Sequence, residues 1–405
     1  MTLLPPHQYR QEIEAELTAI LAFWMTHSPD QERGGFIGRL TGNGHLDPEA
    51  PKGAVLNARI LWTFSAAARQ TNNPAYRAVA DRAYAYFSRH FIDLEFGGVY
   101  WSVDPAGKPL SPRKQIYALG FAIYGLSEYH QLTGEPAALD LAKSLYQWIE
   151  THSYDPAQGG YFEAFSQEGA LLSDLRLSAK DRNDPKTMNT HLHILEGYTN
   201  LYRIWPDAGL ANQIRALLGT FQTHLIDSET SHLRLFFTAD WHSTAALVSY
   251  GHDIEAAWLL LEAAEVLHDG KLMATFSQLA VAMARATAAA LQADGSLYHE
   301  YNIDTNHYDT HREWWVSAEA MVGFLNAWQL SGNETFYNQS VQSWQFIQRH
   351  LLDREGGEWR WGVFDTYQPM TADDKIGFWK CPYHNVRACL EVISRLEKRQ
   401  VSFGT

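Results

Sequence analysis

Two kinds of apolar patterning alternate along the chain. In PAALDLAKSLYQWIETH, Leu139, Ala142, Tyr146 and Ile149 share one stripe while Asp140, Lys143, Gln147 and Glu150 lie elsewhere, the signature of a helix with one face covered and the other wet. In LNARILWTFSAAA, IYALGFAIYGLSEY, NTHLHILEGYTNLY, HDIEAAWLLLEAAEVL, WVSAEAMVGFLNAWQL and HNVRACLEVISRL the apolar positions cover more of the circumference. These predict helices buried on two sides. Six further segments mix turn residues with alternating aromatic and polar positions: SPDQERGGFIGRL, IDLEFGGVYWSV, YDPAQGGYFEAF, IDSETSHLRLFF, QADGSLYHEY and LDREGGEWRWGV. Each reads as a turn entering a short strand or hairpin.

The turns recur at a nearly fixed interval. Their anchors, Gly34, Gly97, Gly159, Ser231, Asp294 and Gly356, are separated by 63, 62, 72, 63 and 62 residues. The one long step contains the polar stretch SQEGALLSDLRLSAKDRNDPKT, which reads as an insertion. Each interval has room for one outer and one inner helix, and six such pairs close into a ring in which neighbours bury the inner helices. The expected fold is all-α: an (α/α)6 barrel of six helical hairpins, with short β-hairpins in the connecting loops and a single domain over residues 1–405. An open solenoid of helical hairpins is the competing arrangement.

Composition narrows the partners. Apolar residues make up 46% and charged residues 19% of the 405, which suits a large packed core. The formal net charge is -14 with Lys and Arg scattered singly, so no basic stripe follows a phosphate backbone and nucleic acid is not an expected partner. MTLLPPHQYRQEIEAEL lacks the basic start and apolar run of a signal peptide, and no long uncharged apolar stretch follows. A cytoplasmic location without membrane association is the expectation. Cys381 and Cys389 are eight residues apart on one apparent helix; they would point in different directions and are expected to pack rather than bridge.

Polar residues unusual for buried helices cluster at the N-terminal ends of the inner ones: Asn57 and Arg59, Tyr117, Asn189 with His191 and His193, His252 with Glu255, Trp315 with Glu319, and His384 with Asn385. In a closed barrel these ends meet at one mouth. Individually, Asn57, Asn189 and Asp253 could cap helices and Glu255 could bond back to the first turn. Three histidines at one phase of three repeats suggest chemistry instead. A metal is not expected, because His191 and His193 lie on different faces, His252 with Glu255 supplies only two ligands, and the chain has no HEXXH motif. A carboxylate pair for glycoside hydrolysis has candidates in Glu255, Glu319, Asp373 and Asp374, but the mouth positions are richer in histidine. Imidazoles titrate near pH ~6.5 and can both take and return a proton, as reversible abstraction beside a carbonyl requires.

The segments APKGAVLNARILWTF, KQIYALGFAIY, LSAKDRNDPKTMNTHLHILEGY, SYGHDIEAAWLLLEA, REWWVSAEAMVGFLNA and DKIGFWKCPYHNVRACLE resemble the cellobiose 2-epimerases, within the wider N-acylglucosamine 2-epimerase superfamily. GHDIE and FWKxPYHN are the most specific of these. The resemblance implies an (α/α)6 barrel and a metal-free, cofactor-free, reversible epimerisation at C2 of the reducing-end sugar of β-1,4-linked disaccharides. It assigns general acid/base roles to His252 and His384, and a third histidine near O1 and O2 to His193. Arg59, Tyr117, Asn189 and Glu255 become polar substrate contacts, with Glu255 orienting His252. Trp315 and Trp379 become sugar platforms, and Asp181 of the insertion reaches toward substrate. Cys381 stands where several relatives are expected to have glycine. The expected partner is a disaccharide, and the expected state a monomer or weak homo-oligomer. N-Acylglucosamine 2-epimerase, aldose–ketose isomerase, glycoside hydrolase and carbohydrate-binding scaffold are the alternatives.

Overall fold

The computed structural model describes residues 4–178 and 181–402, with side chains up to residue 397. Among the described residues, outer helices α1(Pro6–His27), α3(Pro74–His90), α5(Pro136–His152), α7(Ala208–Thr220), α9(Gly270–Ala288) and α11(Glu334–Phe346) alternate with inner helices α2(Ala54–Thr71), α4(Ile116–Thr133), α6(Met188–Ile204), α8(Tyr250–Val266), α10(Trp314–Ser331) and α12(Tyr383–Ser402). Each inner helix packs on the next, and α12 packs on α2. The ring is therefore closed: an (α/α)6 barrel rather than a solenoid. Among the described residues, no helix is long and apolar enough to cross a membrane.

The two helix types follow their patterns. On α5 the buried residues are Ala138, Ala142, Leu145, Tyr146, Trp148 and Ile149, one face of the helix. On α2 every residue from Ala54 to Ala68 is buried. Inner-to-outer turns are tight, with Asn72, Gly134 and Gly332 left-handed after α2, α4 and α10. Asn73 and Asn333 then cap the following helices through their side chains. Outer-to-inner connections are long and carry the short strands, so the N-termini of the inner helices open onto that end of the barrel.

Buried ion pairs hold the long connections to the turns. Lys52 bonds Asp30 at 2.8 Å, Lys114 bonds Asp93 at 2.6 Å, Lys186 bonds Asp155 at 2.8 Å and Lys375 bonds Asp353 at 2.6 Å. Each lysine sits just before or within the strand leading to an inner helix or the closing segment. Arg234 on Asp227, 2.6 Å, serves the fourth repeat. At Gly160, φ is +76° and an added Cβ would lie 2.4 Å from the Trp241 ring, so the turn needs glycine for both backbone and space. Ser231 takes a left-handed conformation at the fourth anchor. The seam closes through strand Arg39–Thr41, which pairs antiparallel with strand Asp374–Ile376.

Glycines also set the spacing of the inner ring. A Cβ on Gly197 of α6 would stand 2.5 Å from the Gly120 carbonyl oxygen of α4. Gly→Ala inside a helix ordinarily gains up to about 1 kcal/mol, but here the neighbour is backbone and cannot swing aside. Overpacking of about 1–3 kcal/mol wins. Gly197→Ala is expected to lower the urea midpoint; an increase would show that the two helices can separate at little cost.

Candidate active site

Three imidazoles converge at the open end, and each is held by its Nδ1. His193, one turn into α6, has Nδ1 2.9 Å from Glu196 Oε2. His252, in the first turn of α8, has Nδ1 2.7 Å from Ser249 Oγ. His384, at the start of α12, has Nδ1 2.7 Å from Glu319 Oε1 of α10. With Nδ1 engaged in all three, Nε2 is the atom left to meet a ligand. His252 and His384 both pack against the Trp315 ring, with centroids 4.8 and 5.7 Å away. His193 is close enough to lower the basicity of both.

Burial is the main electrostatic influence here. It pushes His193 and His252 down to about 3 and His384 well below the ordinary imidazole range, so all three are neutral at physiological pH. A neutral ring with Nδ1–H donated to a carboxylate presents a lone pair at Nε2, the form of a general base. Ser249 is different, since a hydroxyl can donate to or accept from Nδ1 and so serves either tautomer of His252.

Beneath the histidines, Arg387 of α12 gathers three carboxylates. Its guanidinium donates to Glu255 Oε1 at 2.5 Å, to Glu319 Oε1 at 2.6 Å, and to Glu196 Oε1. Tyr383 also donates to Glu196. The guanidinium and all three glutamates are essentially inaccessible. Glu196 holds His193 and Glu319 holds His384, so one arginine braces two of the three imidazoles. A second cation, Arg59, lies over the faces of Phe121 and Tyr383, 4.1 and 4.8 Å from their centroids, and donates to Tyr117 OH at 2.8 Å. Its Nη1 is 3.7 Å from Cys381 Sγ. Cys381 and Cys389 are both free and buried.

Aromatic rings wall the site. Tyr117 meets His193 edge-on at 5.0 Å and Trp379 at 6.0 Å, and Trp379 lies 5.9 Å from Trp101. Trp315 is fixed from behind by Nε1, 2.6 Å from Glu313 Oε2. The Asn189 Oδ1 and Glu255 Oε2 atoms are buried without hydrogen-bond partners, which suits acceptors awaiting a hydroxyl-rich ligand.

The expectations about what orients His252 and what caps the inner helices are corrected by these contacts. Glu255 does not orient His252: its carboxylate crosses the barrel to Arg387, and its Oε1 lies 3.9 Å from His384 Nδ1. Ser249, three residues before His252, takes that place. Asn57, Asn189 and Asp253 cap no helix; the capping positions are Gly53, Thr187 and Ser249. Asp253 instead accepts from His232 Nδ1 and Leu233 N. His191 is tied into the scaffold by Thr187 O and Tyr161 N, and Asn385 by Glu358. Asp181 is exposed in the insertion, where its carboxylate accepts from Ser178 N at 2.7 Å. Of the carboxylates considered for hydrolysis, Glu255 and Glu319 are ion-paired to Arg387, and Asp374 bonds Arg39 at the seam.

Arg387, Glu196, Ser249 and Trp101 were not singled out by sequence. The spacings His193/Glu196, Ser249/His252 and His384/Arg387 are all i, i+3, which places the first and last pairs on one helix face and puts Ser249 at the N-cap of the helix that carries His252. That signal was available.

Known proteins resemble this chain in sequence and in fold. The family model for N-acylglucosamine 2-epimerase matches residues 35–388. Cellobiose 2-epimerase of Bacteroides fragilis is 51% identical over 95% of this chain and 98% of its own. That of Ruminococcus albus is 39% identical over 95% and 98%. The solved structure of cellobiose 2-epimerase from Spirochaeta thermophila superposes with a TM-score of 0.92 at 41% identity, covering 98% of both chains. A GH76 α-mannanase of Bacteroides thetaiotaomicron, at 12% identity and a TM-score of 0.66, shares the fold alone.

Proposed function

We propose, because this chain belongs to the N-acylglucosamine 2-epimerase family, that it is a disaccharide 2-epimerase acting on the reducing-end unit of β-1,4-linked sugars such as cellobiose, mannobiose and lactose. The observation that carries this reading is the set of three Nδ1-anchored imidazoles at the open end, His252 and His384 against the Trp315 ring and His193 against Tyr117, with both carboxylates of a would-be hydrolytic pair bonded to Arg387.

The chemistry runs in three stages. Ring opening moves the O1 proton away and protonates the ring oxygen, giving an open aldehyde whose C2 hydrogen is acidic. Nε2 of one imidazole then removes that proton as an enediolate forms. Arg59, held at the site by aromatic faces and Tyr117, supplies positive charge next to the developing oxyanion, and His193 supplies an Nε2–H donor when Glu196 carries the proton between its carboxyl and Nδ1. Rotation about C2–C3 presents the other face, and the second imidazole returns a proton there. His252 and His384 fill these two roles, and the Ser249 hydroxyl lets His252 change tautomer without losing its hydrogen bond. Trp315 holds the reacting ring, and Trp379 with Trp101 offers an aromatic surface for a second sugar, which favours a disaccharide over a monosaccharide or an N-acylglucosamine.

The reading is tested by incubating the protein in D2O with cellobiose, mannobiose, lactose, mannose and N-acetylglucosamine. Disaccharide products should be C2 epimers carrying deuterium at C2, with the glycosidic bond intact. Free monosaccharide as the sole product, or turnover confined to N-acetylglucosamine, would refute it.

A further inference from the structure

A second histidine cluster lies behind Trp315, and the proposed reaction does not use it. His299, His311 and Glu313 each offer one ligand atom, and these atoms all lie within 4.8 Å of one another. His311 Nε2 is 3.0 Å from Glu313 Oε1, and His299 Nδ1 is 3.9 Å from Glu313 Oε2. The two imidazole rings face each other with centroids 4.4 Å apart. The backbone fixes this arrangement: His299 N bonds the carbonyls of both Asp309 and His311 at 3.1 Å, which ties together the two ends of the strand pair Glu300–Asn302 and His307–Asp309 that His299 and His311 flank.

Two independent observations point to a ligand. His299 Nδ1 is buried with no hydrogen-bond partner, an orphan that a cation would satisfy. On the far side of the other imidazole, His311 Nδ1 is 2.5 Å from Asp309 Oδ1. A carboxylate on the remote nitrogen is the arrangement that orients a histidine toward a metal through its other nitrogen.

We propose that His299, His311 and Glu313 form a binding site for a divalent transition-metal ion of the zinc class. Two imidazoles and one carboxylate suit zinc, nickel or copper, whereas magnesium and calcium prefer all-oxygen shells. Tetrahedral coordination at ~2.1 Å puts ligand atoms about 3.4 Å apart, so the cluster closes with movements on the order of 1 Å. Binding displaces the Nε2 proton of His311 to solvent and leaves a position for water. It also draws on Glu313, the group that anchors Trp315 and accepts from Trp361 Nε1 at 3.1 Å. The ion would thereby loosen the ring against which His252 and His384 pack. Its role is inhibitory or regulatory, not catalytic.

The test is equilibrium dialysis of the metal-stripped full-length protein against ZnCl2 without sugar, so that its outcome is independent of the epimerase reading. Wild type should retain one zinc per chain more than the His299→Ala/His311→Ala double variant. Asp309→Asn should weaken that site about 10–100-fold, with excess Mg2+ failing to displace the ion. His384→Gln should leave the site intact, because a second grouping of this kind among the described residues, Glu255, Glu319 and His384, is not the one proposed. Equal zinc content in wild type and a correctly folded double variant, or loss of the ion in His384→Gln alone, would overturn the proposal.

Discussion

His384→Ala is expected to bind cellobiose and to epimerise it about 10²–10⁴-fold more slowly, the usual contribution of a positioned acid/base. The side chain is 6% exposed and its Nδ1 is already committed to Glu319. In the proposed scheme, truncation therefore removes a proton carrier and spares Trp315, Trp379 and Arg59. Binding is read by calorimetry, and turnover by the rate of C2 inversion. Solvent exchange carries the sharper information. If His252 and His384 serve opposite faces, each Ala variant still exchanges the C2 hydrogen of one epimer with D2O but cannot invert it. His384→Ala and His252→Ala should then label different epimers. Full turnover in either variant, or the same epimer labelled by both, would remove the two-base scheme.

The fold was legible because its repeat is long, regular and punctuated. The anchors at Gly34, Gly97 and Gly159 and the twice-buried inner helices predict hairpins of fixed length, and the structure builds them. Closure was the less accessible part, because it depends on pairs distant in sequence. Leu40 opposite Ile376, and Trp24 donating to Glu358, follow from no local pattern. The lysines at 52, 114, 186 and 375 were a repeat signal of comparable regularity that hydrophobic periodicity does not register.

At the site, phase in the repeat brought His193, His252 and His384 to the mouth but did not give the direction of a long side chain's tip. Glu255 shows the difference. Its Cα lies one turn from His252, yet its carboxylate reaches Arg387, 132 residues away in sequence. A buried cation with three anions nearby outcompetes a local partner, because each unpaired carboxylate would carry a desolvation cost of several kcal/mol. Arg387 itself sits inside an apparently apolar helix, where sequence reading treats a lone arginine as a surface residue.

That position makes Arg387→Met the most damaging single substitution expected for stability. Methionine fills much of the same volume but leaves Glu196, Glu255 and Glu319 buried together without their shared cation. Breaking one side of such a network costs about 3–5 kcal/mol. The loss should depend on pH in a definite direction. Burial already raises the pKa of Glu196 and Glu319, against which Arg387 pulls them down; without it they rise further. A carboxylate whose folded pKa exceeds its unfolded value of ~4.3 binds more protons in the native state between those two values. Its folded state is favoured below that window and penalised as pH rises through it. Urea midpoints of Arg387→Met should therefore fall far below wild type at pH 8 and recover part of the gap at pH 5. Adding Glu319→Gln should recover part of it at pH 8 without restoring turnover, since His384 then loses its carboxylate partner. A deficit of equal size at both pH values would assign the effect of Arg387 to packing against Tyr383 and Trp258, whose ring centroids lie 4.2 and 4.8 Å from the guanidinium carbon, rather than to the charges it balances.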